Sequence, residues 1–194
     1  MKLARLLELG RTLRVLAFDD APFAKRRGAV VPVVGVVCAD TRFEGMLWGR
    51  VRRDGWSATD TLAAMFEGSK FRDQAHLVLL DGIALGGFNV VDLPKLHART
   101  GLPCASVMRR PPNMAAVHDA IRRLPRPAQR LTVLARAGEV HQHAPFTFQV
   151  QGVAPEEMAK ALVRLTREGH VPEALRLAHL IGSAVILGES GRRA

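Results

Sequence analysis

Residues 30–39 read VVPVVGVVCA, a β-branched run broken by Pro32 and Gly35. Val loses side-chain freedom in a helix and packs well on a pleated surface, so this run predicts a strand. The segment before it, Arg14–Asp19 (RVLAFD), is a short apolar run that stops at Asp19-Asp20 and Ala21-Pro22. The segment after it, Phe43–Arg53 (FEGMLWGRVRR), alternates and follows the turn residues Asp40-Thr41. Three strands in a row with short connections predict an antiparallel meander.

Beyond Asp54-Gly55 the period changes. In Ser57–Gly68 apolar residues fall at Leu62, Met65 and Phe66, the spacing of a helix, with Ser57 placed to cap it and Asp60 at the capping-box position. His76–Leu80 is a buried strand ending at Asp81-Gly82, and Gly86-Gly87-Phe88-Asn89 is a turn. Val90–Thr100 reads as a helix closed by Gly101, Leu102–Met108 as a strand and Asn113–Leu124 as a helix. Pro125 and Pro127 mark a join; Phe146–Gln151 alternates as a strand, and Pro155–Arg167 and Glu173–Leu187 are helices. The order predicts an α/β fold: a mixed sheet that starts with a three-strand meander and carries helices on both faces. The 194 residues, 48% of them hydrophobic, suffice for one core. We expect a single α/β domain over 1–194, with a leading helix in 1–12 and a C-terminal α/β portion, 125–194, packed on the core.

The N-terminal MKLARLLELGRTLR lacks an uninterrupted apolar centre and a small-residue cleavage site, so it predicts a helix rather than a signal peptide. No stretch approaches the roughly 18 apolar residues of a membrane span. Cys38 and Cys104 fall in strand-like apolar runs with no disulfide framework, for which a reducing cytoplasm is the simple reading. The 28 Lys and Arg exceed the 18 Asp and Glu, leaving a net charge of +10. That surplus favours contact with phosphate backbones, although an Arg-rich coding bias produces it equally well. DNA is therefore the expected partner and a membrane is not. The oligomeric state stays open, a homodimer being one option.

Two buried-looking strands end in acids, LAFDD and LVLLDG. Ligands of α/β sheets gather beyond strand carboxyl ends. Carboxylates brought together repel unless they share a proton or hold a cation, and hard oxygen donors favour Mg²⁺ or Mn²⁺. Such an ion can activate water against a phosphodiester. Taken singly, Asp19, Asp20 and Asp81 are equally at home as turn or cap residues. A further acid from the next helix would be Asp60, which also suits a first-turn position on the helix dipole; Asp92 carries the same ambiguity.

The segments VLAFDDAPF, SKFRDQAHLVLLDGIALGGFNVVDL, TGLPCASV and PEALRLAHLIGSAVILGESGR resemble the endonuclease dU family, from about Arg14 to Arg192. The resemblance implies a ribonuclease-H-like fold related to endonuclease V and metal-dependent cleavage of DNA carrying deoxyuridine. It also implies that Asp19 or Asp20 is the first-strand acid and Asp81 the acid of the Asp-Gly pair. Family members often read DGLDATE where this chain has Asp54-Gly55-Trp56-Ser57-Ala58-Thr59-Asp60, so Asp60 keeps a carboxylate while Ser57 replaces one. Endonuclease V inserts a Tyr-Pro wedge beside its lesion, and this chain has no Tyr.

Arg109-Arg110, following a strand end on the side of Asp81, are the candidate phosphate contacts. Asn89 could contact phosphate or simply close a turn; Trp56 or Phe88 could stack on a base or belong to the core. His179 has a hydrogen-bonded core role as its default and a site role as the alternative. His141 and His143 alternate as in a strand, without a third soft ligand nearby. Glu189-Ser190 could approach the site or fray. Two functions remain in view: a metal-dependent endonuclease acting on deoxyuridine or other deaminated bases, and a non-catalytic nucleic-acid- or nucleotide-binding module with the same fold.

Overall fold

The computed structural model describes residues 2–190. A short helix, α1 (Leu3–Glu8), precedes the meander of β1 (Arg14–Asp20), β2 (Val30–Ala39) and β3 (Arg42–Arg52). Then follow α2 (Ala58–Glu67), β4 (Leu77–Asp81), a small hairpin of β5 (Ala84–Leu85) and β6 (Asn89–Val90), α3 (Leu93–Thr100) and β7 (Cys104–Met108). Helices α4 (Met114–Arg122) and α5 (Pro127–Arg136), strands β8 (His141–His143) and β9 (Phe146–Gln151), and helices α6 (Pro155–Arg164) and α7 (Glu173–Leu187) complete the chain.

Seven strands form one mixed sheet in the order β3-β2-β1-β4-β7-β9-β8. The meander is antiparallel, as its short connections require, while β1, β4 and β7 run parallel at the centre. β9 hydrogen-bonds antiparallel to β7, so the segment after Pro125 extends the sheet itself instead of merely packing on it.

Side chains of a strand alternate between faces, and two cores result. Val15, Ala17, Leu77 and Leu79 join one core with α6 and α7 residues such as Leu162 and Ala178. Leu16, Phe18, Val78 and Leu80 join the other with Leu62 and Phe66 of α2 and Leu96 of α3. The central strands are buried on both sides, which explains their near-continuous apolar character.

Several local expectations are corrected. Ser57 makes no side-chain cap on α2; instead the buried Asn89 accepts from Ala58 N at 3.0 Å. α3 starts at Leu93 rather than Val90 because Asp92 caps it, accepting from Lys95 N at 3.0 Å. The expected turn at Gly86-Gly87-Phe88 is present and joins the two short strands of the β5–β6 hairpin, with Asn89 already in β6. The Pro125–Pro127 join launches α5, with Pro127 in the first turn, where its missing N–H costs nothing.

Candidate metal centre

Strand register decides which acids meet. In the parallel pair of β1 and β4, Phe18 lies opposite Leu80, so the next residues, Asp19 and Asp81, leave the sheet side by side on one face. By alternation that face belongs to the core covered by α7. Asp20 turns to the opposite face, where its carboxylate accepts from Gly86 N in the β5–β6 hairpin.

α7 brings a third group. It packs chiefly on β1 and β2 and also touches β4, and Gly182 permits close approach: a Cβ there would lie 3.1 Å from Ala21 Cβ. One helical turn earlier, His179 Nδ1 lies 3.0 Å from Asp19 Oδ2. Ligand atoms of Asp19, Asp81 and His179 all fall within 4.8 Å of one another. Octahedral ligands roughly 2.1 Å from a small divalent ion stand about 3–4 Å apart, so this spacing suits one ion after slight contraction. Two carboxylates offer hard oxygen donors and the imidazole a borderline nitrogen, a donor set that can hold a divalent metal ion.

The electrostatics point the same way. Burial raises the Asp19 pKa to about 8, reinforced by Asp81 and Asp20, while Asp20 N donates to Asp19 Oδ1 at 2.8 Å and works against the shift. Asp81 is raised mainly by burial and partly offset by Arg109, whose Nη2 lies 3.7 Å from Asp81 Oδ2. Asp20 is raised by burial, with the Gly86 hydrogen bond opposing. Carboxylates kept short of compensating charge are the arrangement in which a bound cation relieves repulsion.

The other sequence candidates divide. Asp60 does not join the cluster: its half-exposed carboxylate sits 2.7 Å from Lys95 Nζ and 3.1 Å from Arg99 Nη1, and the Lys95 hydrogen bond leads in lowering its pKa. Asn89 is fully buried, accepting from Ala58 N and donating to Arg52 O at 3.2 Å, so both ends of its amide are engaged and a phosphate contact is excluded. Trp56 is 44% exposed and is not a core residue; the Arg130 guanidinium lies 4.2 Å from its ring centroid. Arg109 and Arg110 are both exposed, Arg109 against Asp81. His179, for which the sequence leaves both a hydrogen-bonded core role and a site role, stands beside Asp19. The available signal was its single polar ring on the apolar face of α7.

Comparison with known proteins places this chain in a family. The family profile described as Endonuclease dU matches residues 11–186. The chain belongs to the endonuclease dU family. A UPF0215 protein of Methanopyrus kandleri is 38% identical over 193 residues, covering 96% of this chain and 98% of its own. The crystal structure of a protein of unknown function from Archaeoglobus fulgidus superposes with a TM-score of 0.85 at 37% identity, covering 90% of this chain and 98% of that one. Endonuclease V of Ciona intestinalis, crystallised with a 24mer DNA containing an inosine followed by a ribo-adenosine, gives a TM-score of 0.54 at 13% identity, over 88% of this chain and 84% of its own. At that identity the likeness concerns the fold, which is ribonuclease-H-like in this endonuclease dU family member too. No described helix is long and apolar enough to cross a membrane.

Proposed function

We propose that this endonuclease dU family member hydrolyses phosphodiester bonds of DNA carrying deoxyuridine or another deaminated base, with Mg²⁺ or Mn²⁺ held by Asp19, Asp81 and His179. The observation that carries this reading is the convergence of these three side chains within 4.8 Å at the carboxyl ends of two parallel strands. The family description and the fold shared with endonuclease V support it.

A divalent ion at this centre supplies Lewis-acid polarisation of a phosphoryl oxygen and a more acidic water. Asp19 and Asp81 provide the anionic oxygens, and Asp19, with its pKa raised to about 8, must shed its proton to do so. His179 fixes the rotamer of Asp19 by contact with Oδ2, while the Asp20 amide fixes Oδ1. Asp20 anchors the Gly86 turn at the rim of the centre. Arg109 stands beside Asp81, where its guanidinium can neutralise a substrate phosphate.

Nicking of uracil-containing, hypoxanthine-containing and undamaged duplexes with and without Mn²⁺ tests the proposal. Asp81→Asn should abolish cutting and leave DNA binding in place; an Asp81→Asn protein that still nicks overturns the assignment. The engagement of Asp60 by Lys95 and Arg99 favours a second reading, a nucleic-acid-binding module without cleavage. That reading predicts salt-sensitive DNA binding and no metal-stimulated nicking of any of the three duplexes.

A further inference from the structure

A second feature lies across the β5–β6 hairpin from the acids. Arg27, Arg52, Arg53, Arg123 and Arg126 line a groove of about 540 Å³ with Trp56. Asp54 is the single acid among its lining residues, and its carboxylate is already occupied by Arg53 at 3.3 Å and by Phe88 N at 2.9 Å. Arg27, Arg52, Arg123 and Arg126 are exposed and have no acidic partner among the described residues. These arginines come from the β1–β2 loop, the end of β3 and the α4–α5 junction, so no single charge run in the sequence announces the groove.

Its floor is rigid. Arg130 is buried and donates to the carbonyls of Asp54, Gly55, Phe88 and Pro125. The same guanidinium covers one face of Trp56 and leaves the rest of the ring open to the groove. An exposed aromatic ring backed by a cation, in a groove lined by arginines without acidic partners, is the chemistry that takes an unpaired base and its neighbouring phosphates. The groove also connects to the chain neighbour of Asp19: Gly86 donates to Asp20, Gly86 O accepts from Asp54 N at 2.9 Å, and Phe88 donates to Asp54. One three-residue turn therefore touches both the groove and the residue next to Asp19.

We infer that this groove binds an unpaired stretch of the nucleic-acid strand on which the metal centre acts, stacking a base on Trp56 and holding the flanking phosphates with Arg27, Arg123 and Arg126. The inference rests on the reading of the acids as a nucleic-acid site, but binding tests it without cleavage. Anisotropy of a fluorescein-labelled dT 12-mer is measured in EDTA across a salt series. Each phosphate contact on a single strand contributes about 0.7 to the log–log salt slope. Replacing Arg27, Arg123 and Arg126 together with Ala should lower the slope by about 2, whereas an Arg11, Lys160 and Arg167 triple removes equal charge from the opposite end of the sheet and should change it little. Trp56→Ala should weaken binding roughly tenfold, and Trp56→Phe should restore most of it. Equal losses for the two triples, or a Trp56→Ala protein that binds like the wild type, overturn the groove assignment. A wild-type protein that binds the 12-mer through these residues yet nicks nothing overturns the nuclease reading and leaves the groove standing.

Discussion

Asp19 and Asp20 are chain neighbours with opposite surroundings, and their chemistry differs accordingly. Asp19 is packed under α7 with a pKa raised to about 8, mainly by burial. A carboxyl whose folded pKa lies above its unfolded value stabilises the fold fully below about pH 4, and this contribution is lost as pH rises through about 8. Ion binding requires the deprotonated form, so affinity should climb over the same window. The rise in melting temperature on adding Mn²⁺ should therefore be larger at pH 8 than at pH 6. Asp19→Asn should abolish it while raising the metal-free melting temperature at pH 8; an unchanged Mn²⁺ response in that variant removes Asp19 from the ligand set. Ser106 offers a simpler test. Its hydroxyl is buried with no hydrogen-bond partner among the described residues, and an orphaned polar group costs about 1–3 kcal/mol. Ser106→Ala should gain about 1 kcal/mol in urea unfolding.

At the scale of elements, α7 acts as the arm that delivers His179. Its seat on β1 and β2 depends on Gly182, where an added Cβ already crowds Ala21 and Val34 at 3.1–3.3 Å. Gly182→Val should push the helix away from the sheet and draw His179 off Asp19. Titration with Mn²⁺ should then show at least tenfold weaker binding, although no ligand has been altered. Unchanged affinity would mean that His179 does not contribute to the centre. The β5–β6 hairpin depends on its glycines in a comparable way: Gly87 has φ +85, and a Cβ there would stand 2.5 Å from Asp54 Oδ1. A side chain is excluded on both counts.

Across the whole molecule, Arg130 ties α5 to the loop after β3 and to the hairpin, three segments far apart in sequence. Arg130→Met keeps much of the side-chain volume but leaves those carbonyls unpaired. The expected loss is about 3 kcal/mol in urea unfolding, accompanied by weaker dT 12-mer binding, since the same residue supports Trp56. Loss of stability without any change in binding would show that Trp56 does not need its cation.

Much of the fold was legible because periodicity and turn chemistry are local. The Val-rich run gave β2 and the Glu173–Leu187 pattern gave α7, both with the bounds observed. The cap of α3 by Asp92 and the α5 start at Pro127 were less visible, since Pro and Asp serve boundaries and helix starts alike. Of the candidate centre, the sequence by itself determined that two interior strands end in aspartates. The tertiary structure decided the rest. Alternation gives each side chain one of two faces, and only the pairing of Phe18 with Leu80 sets Asp19 beside Asp81 and sends Asp20 the other way. The same long-range packing joined His179 to Asp19 from 160 residues away and gathered arginines from three separate segments into one groove. Such distances in sequence carry no local signal, because register and helix docking are settled by burial across the whole sheet.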